Sequence, residues 1–238
     1  MQFISSNPII DNEFFLDEEE SFHLKKVLRV KKGDEIKVFD GERQGICKVI
    51  DFIENKALIK TVKVFDKKTL KTKINLYIPF IERKLFESVL KNSVEAGIFS
   101  FNPIITYYTQ NHFIFDIEKK RERLLEIIKS AVKQSESSFF PILNKPQKID
   151  DIFKTKNKFF VMSKDKIMNR LFSFKEILNF IEDEINIIVG PEGGFSDIDF
   201  SNALSENIYP VKLSDNVLRV ETAAISAVCA FSAWMAER

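Results

Sequence analysis

The stretch "INIIVGPEGGFSDIDF", residues 185 to 200, sets an apolar run ending at Val189 against a loop holding Gly190, Pro191, Gly193 and Gly194. The chain of 238 residues has only seven glycines, and three of them fall in this loop. Glycine is needed where the backbone takes positive φ or where another group comes close. A strand, a glycine-rich turn and a helix make up the layout of phosphate sites. Here the spacing fits neither G-x-x-x-x-G-K-[ST] nor G-x-G-x-x-G, and Glu192 puts a negative charge where a diphosphate would sit. Ser196 and Asp199 have the spacing of an N-cap and an acidic N3 residue, which predicts a capped helix over "DIDFSNAL". The cap accounts for Ser196 to Asp199 but not for the glycines. Their excess points to a ligand lying on backbone at the carboxyl ends of parallel strands.

Working outward, short apolar runs alternate with amphipathic segments from residue 73 onward. "KINLYIPFI", "NPIITYY", "KFFVMS", "INIIVG" and "YPVKL" read as strands. "ERKLFESVLKNSVEAG", with Gly97 at its C-cap, "IEKKRERLLEIIKSAVKQS" and "FSFKEILNFI" read as helices. This alternation predicts an α/β domain with a mostly parallel sheet covered on both faces. The C-terminal "TAAISAVCAFSAWMAER" is rich in Ala, Ser and Cys, so its helix packs closely on the sheet or on another subunit.

Upstream, "EIKVFDGERQGICKVIDFIENKALIKTVKVF" has strand composition broken at Asp40-Gly41 and Glu54-Asn55. Those breaks predict hairpins in a small β barrel or sandwich over residues 1 to 70, with a helical turn at "SFHLKKVLR". The polar "DKKTLKTK" suits a linker. Net charge is +1, but residues 22 to 72 carry fourteen Lys/Arg against seven Asp/Glu, and from 73 onward the count is 22 against 22. A basic N-terminal module fits a solvated Lys-rich surface or a nucleic-acid patch equally well. Composition is that of an ordinary globular chain, which excludes disordered and collagen-like classes. The N-terminus lacks the pattern of a secretory signal and no run is long enough for a membrane span, so a cytoplasmic protein with no membrane association is expected. Cys47 and Cys229 fit no metal spacing, so two free thiols and no metal site are expected.

A second loop, in "VKLSDNVLRVETAAISA" (211 to 227), follows a strand-like run and brackets Arg219 with Val217, Leu218 and Val220. Arg219 and Glu221 form either a structural ion pair or a functional pair. Two sheet-end loops of this kind suit a flat, adenine-bearing ligand that is cationic or neutral.

"IVGPEGGFSDIDF" and "LSDNVLRVETAAISAV" resemble the two C-terminal signatures of the RsmE family of ribosomal RNA methyltransferases, in the SPOUT class. "HLKKVLRVKKGDEIKVFDG" resembles that family's N-terminal PUA-like RNA-binding barrel, and "KNSVEAGIFSFNPI" and "SAVKQS" resemble internal blocks. The resemblance implies a PUA-like barrel over 1–70 and a trefoil-knotted SPOUT domain over 73–238. It implies methylation of uridine N3 in small-subunit (16S) ribosomal RNA with S-adenosyl-L-methionine, by a homodimer acting on the RNA or the ribosomal subunit. Carried onto this chain, Val189, Gly190, Pro191, Glu192, Gly193 and Gly194 line one side of the cofactor, and Leu213, Ser214, Asn216, Val217 and Leu218 the other. Arg219 and Glu221 become the candidate catalytic residues, and Lys25, Lys26, Arg29, Lys31 and Lys32 the candidate RNA contacts. Family members carry Arg near Tyr108 and Arg or Gly near Glu136, Ser137 and Phe139, where this chain differs. The rivals are another SPOUT target such as a transfer RNA ribose, a non-catalytic RNA-binding protein, and a Rossmann-type oxidoreductase, the last disfavoured by the missing fingerprint.

Overall fold

The computed structural model describes residues 2–10, 12–65 and 72–237. The chain forms two units, Met1–Thr69 with Val132–Phe140, and Leu70–Ala131 with Pro141–Arg238. The expected linker at 66–73 falls largely outside the described residues.

In the first unit, strands β1 (Phe3–Ile4), β2 (Glu13–Phe15), β3 (Glu35–Phe39), β4 (Gln44–Ile53) and β5 (Lys56–Val64) form one curled sheet, a half barrel, in the order β1-β3-β4-β5-β2. Both predicted hairpins are present. Asp40 closes the first by accepting from the amides of Glu42 and Arg43 (2.9 and 2.6 Å), and Glu54 enters the left-handed region at φ 53° to close the second. Register shifts at Ile46/Cys47 and Val49/Asp51 let the long β4–β5 ribbon curl. Alternate residues of the sheet, among them Ile36, Val38, Cys47, Val49 and Ile59, fill the core with Leu24. Leu24 comes from helix α1 (Glu18–Phe22) as it passes into a π-helical turn at His23–Val27. The segment Val132–Phe140, which a sequence division at 70–73 assigns to the second part, belongs with this unit. There Lys133 pairs with the buried Glu20 at 2.8 Å, and Gln44 donates to the Glu136 carbonyl at 2.9 Å.

The second unit contains β6 (Lys73–Pro79), β7 (Ser100–Ile105), β8 (Ile142–Leu143), β9 (Gln147–Lys148), β10 (Phe159–Met162), β11 (Phe172–Ser173), β12 (Glu184–Val189) and β13 (Ile208–Lys212). Their order is β11-β13-β10-β12-β6-β7-β8, with β9 also on β7, and every pairing is parallel. The central strands are buried on both faces, which is why they read as unbroken apolar runs. A buried polar row crosses them: Asn186 donates to the Lys158 carbonyl, Asn75 to Asn186, Ser100 to Asn75, Asn102 to Ser100 and Asn144 to Asn102, all within 2.7–3.0 Å. A slip of one residue would leave these groups unpaired, so the row fixes the register that aligns the strand ends.

Around the sheet lie α2 (Arg83–Glu95), α3 (Ile117–Ser135), α4 (Ile149–Ile152), α5 (Phe174–Ile177) and α6 (Val220–Ala236). Helix α6 packs on α2, β6 and β12, and Ser232 Oγ donates to the Ala96 carbonyl where α2 ends. The predicted helix over "DIDFSNAL" is a single 3-10 turn, Asp197–Phe200. The cap is present, but the next two residues turn their side chains to Asp150 (Ser201 at 2.9 Å, Asn202 at 2.6 Å), and Ser and Asn compete poorly as helix formers. The strand read over "NPIITYY" likewise stops at Ile105, because Thr106 to Thr109 close a turn. Among the described residues no helix is long and apolar enough to cross a membrane, and no cluster of His, Cys, Asp and Glu could hold a metal ion.

Candidate active site

The parallel register brings three carboxyl ends abreast, because Met162 at the end of β10 pairs with Val189 of β12 on one side and Val211 of β13 on the other. Beyond β10 and β13 opens a cleft of about 120 Å³. Met162, Ser163 and Lys164 form one wall, Val211, Leu213, Ser214, Asn216, Val217 and Leu218 the other, and Ala223 of α6 closes the back. The Ser163 amide donates to the Val211 carbonyl (3.0 Å) and ties the two walls together. Lys212 pairs with Asp215, and Ser214 Oγ accepts from the Asn216 amide at 3.1 Å, so the loop is shaped by its own side chains. Among the described residues, the backbone of 213–218 makes no backbone–backbone hydrogen bond. The cleft therefore combines apolar side chains with the polar groups of Ser163, Lys164, Ser214 and Asn216. Lys164, the one cation on its lining, is too little charge for a diphosphate.

The glycine loop leaves the neighbouring strand end. None of Gly190, Pro191, Glu192, Gly193 or Gly194 lines the cleft, and each glycine has a local cause. The Phe195 ring lies across Gly190, where a Cβ would come within 2.8 Å of it. At Gly193 a Cβ would stand 3.1 Å from the Cβ of Tyr108. Gly194 takes φ +75° and donates to the Pro191 carbonyl at 2.8 Å. The capping box at Ser196 places Asp199 inside the fold, 3% exposed, where one oxygen accepts from the Ser196 amide and the other from the Tyr107 amide, both at 2.8 Å.

Arg219 is the N-cap of α6, directly after the cleft-lining Leu218, and is exposed, while Glu221 is half-buried. Among the described residues neither forms an ion pair, so they do not make the structural pair that the sequence allowed. In the first unit Lys25, Lys26, Arg29, Lys31 and Lys32 are all exposed. Lys25 lies over the Phe52 ring and Lys32 pairs with Asp51 at 3.0 Å. Sequence reasoning missed Met162, Ser163, Lys164, Val211 and Ala223; only the apolar strand signal of "KFFVMS" pointed towards the first wall.

Residues 68–232 match the family described as RNA methyltransferase domain, and residues 16–62 match RNA methyltransferase PUA domain. The chain is 30% identical to the ribosomal RNA small subunit methyltransferase E of Mesomycoplasma hyopneumoniae, over 90% of this chain and 92% of that one. The chain belongs to the ribosomal RNA small subunit methyltransferase E family. The Rickettsia conorii member is 28% identical over 87% of this chain and 83% of its own length. The fold is similar to the crystal structure of the Neisseria gonorrhoeae member of the family bound to S-adenosyl methionine, with a TM-score of 0.81, 23% identity, and coverage of 98% and 97% of the two chains. Within the family's two regions, the PUA match spans α1, β3, β4 and most of β5, and the methyltransferase match spans β6 through most of α6, including all three strand ends.

Proposed function

We propose that this chain transfers a methyl group from S-adenosyl-L-methionine to N3 of a uridine in small-subunit (16S) ribosomal RNA. The observation that carries the reading is the cleft beyond β10 and β13, with an unpaired Arg219 directly after its lining residue Leu218, in a member of this family. Leu213, Ser214, Asn216, Val217 and Leu218 hold the cofactor on one side, and the loop Val189, Gly190, Pro191, Glu192, Gly193 and Gly194 borders it on the other. When bound, the cofactor supplies an activated methyl group with a good leaving group, so positioning provides much of the rate. The Arg219 guanidinium stabilises the negative charge that collects on O2 and O4 as uridine N3 loses its proton. Glu221, two residues on, orients that guanidinium or accepts the proton. An N3 inside a base pair is out of reach, so the target base is unpaired or flipped, and residues 1–70 grip the flanking RNA through Lys25, Lys26, Arg29, Lys31 and Lys32.

The strand order supports a trefoil knot over 73–238, since β12 is followed in sequence by β13 while β10 lies between them. The exposed small residues Ser226, Cys229 and Ala233 of α6 support a homodimer, acting in the cytoplasm. Nucleoside mass spectrometry of small-subunit ribosomal RNA from a deletion strain tests the reading: 3-methyluridine should vanish and return with the intact gene, and an unchanged level sinks it. Arg219→Ala should lower turnover by about 10²–10³ with cofactor affinity by calorimetry unchanged, as for loss of a donor to a developing anion. Near-normal turnover of the folded variant refutes the role of Arg219.

A further inference from the structure

Four residues at the carboxyl end of β7 form a turn closed three times over. The Thr109 amide donates to the Thr106 carbonyl (3.1 Å), the Thr106 amide donates to Thr109 Oγ1 (2.9 Å), and the two hydroxyls bond each other (2.9 Å). Both threonines are buried. The central positions are Tyr107 and Tyr108. The amide of Tyr107 is pinned by Asp199, and Tyr108 lies against Gly193, so the turn is fastened to the glycine loop beside the cleft. Despite this anchoring the two rings face solvent, 59% and 47% exposed, edge to face at 5.0 Å. Turn tips ordinarily carry Gly, Pro, Asn, Asp or Ser, and a rigid turn that displays two aromatic rings gives up the burial those rings favour.

We infer that Tyr107 and Tyr108 form a stacking platform for an unpaired base of the RNA substrate. The inference rests on the RNA methyltransferase reading of the same site. Exposing N3 of a uridine requires that base to leave its pair, which also strips its neighbour of a stacking partner. An aromatic face takes any base, and the rings stand at the same carboxyl end of the parallel sheet as the cleft, fastened to the loop after β12. The next residues, Gln110, Asn111 and His112, are exposed and polar, which fits a wet nucleic-acid surface better than the contiguous apolar patch a protein partner would need.

The test is fluorescence of a short single-stranded oligouridine with one central 2-aminopurine, titrated with the full chain loaded with S-adenosyl-L-methionine. Wild type and the Tyr107→Phe/Tyr108→Phe variant should quench the probe alike. Tyr107→Ala/Tyr108→Ala should bind on the order of 5- to 150-fold more weakly with the quenching lost, the range expected for one stacked base. Cofactor affinity by calorimetry should be unchanged in every variant. Absence of quenching by wild type, equal binding by the double Ala variant, or a Phe variant as weak as the Ala variant overturns the platform. Methyl transfer to ribosomal RNA from the deletion strain, measured in parallel, separates the two readings: loss of transfer in wild type sinks the function, whereas intact transfer with an unchanged KM for RNA in the double Ala variant sinks only the platform.

Discussion

Asp199→Asn is the sharpest test of how the site is held together. Each oxygen of the buried Asp199 carboxylate takes one backbone amide at 2.8 Å, from Ser196 of its own turn and from Tyr107 of the turn after β7. An asparagine keeps one oxygen and turns an NH₂ group towards the second amide, so two donors face each other in a site with 3% exposure. An unsatisfied buried donor costs about 1–3 kcal/mol. In a unit of this size that corresponds to a fall in melting temperature of roughly 2–10 °C. Asp199→Ala loses both bonds, about 3–6 kcal/mol in gross terms, offset in part because a buried charge leaves with them. The assay is thermal unfolding of wild type and both variants, with hydrogen exchange read at the amides of Tyr107 and Ser196. Faster exchange at one amide in Asn and at both in Ala is expected, together with weaker RNA binding as the tyrosine turn loosens. A melting point within about 1 °C of wild type and unchanged exchange at Tyr107 would refute the argument.

The Lys37 ammonium, 2.7 Å away, holds the Glu136 carboxyl down at about 2 from its ordinary 4.5. A depressed folded-state value means stability that is fully present above the unfolded value and lost as pH falls from about 4.5 towards 2. Glu136→Gln should therefore flatten the acid limb of the melting-temperature profile; because both side chains are partly exposed the effect is modest, and a difference from wild type that stays constant from neutral pH into that window counts against the pairing. Burial pushes the Cys47 thiol up to about 11, whereas Cys229 is exposed on α6. A thiol reagent at mildly alkaline pH should modify one cysteine quickly, and two fast equivalents would contradict the burial of Cys47 in the core of the first unit.

What the sequence made legible is what short-range chemistry decides. Apolar runs at 159–162, 184–189 and 208–212 announced strands buried on both faces, Asp40-Gly41 and Glu54-Asn55 announced turns, and Ser196 with Asp199 announced a cap. Long-range partners decided the rest. The turn at 197–200 stops where it does because Asp150, far away in sequence, takes the side chains of Ser201 and Asn202. The wall at Met162, Ser163 and Lys164 carries no motif and joins the cleft only because β10 pairs between β12 and β13. Val132–Ser135 continues the helical pattern of α3 without a compositional break, yet it belongs with the first unit, as does the stretch to Phe140.

The glycines at 190, 193 and 194 each have a different local cause. A glycine signals that a Cβ is unwelcome, not what excludes it. At 190 the excluder is the Phe195 ring, at 193 it is Tyr108, and at 194 it is the backbone's own φ of +75°. The first signature thus fastens an aromatic turn beside the strand ends, while the second lines the cleft through Leu213, Ser214, Asn216, Val217 and Leu218. It follows that the two signatures fail differently. A larger residue at 193 meets Tyr108 first, whereas a change at Leu213 or Asn216 acts on the cleft itself.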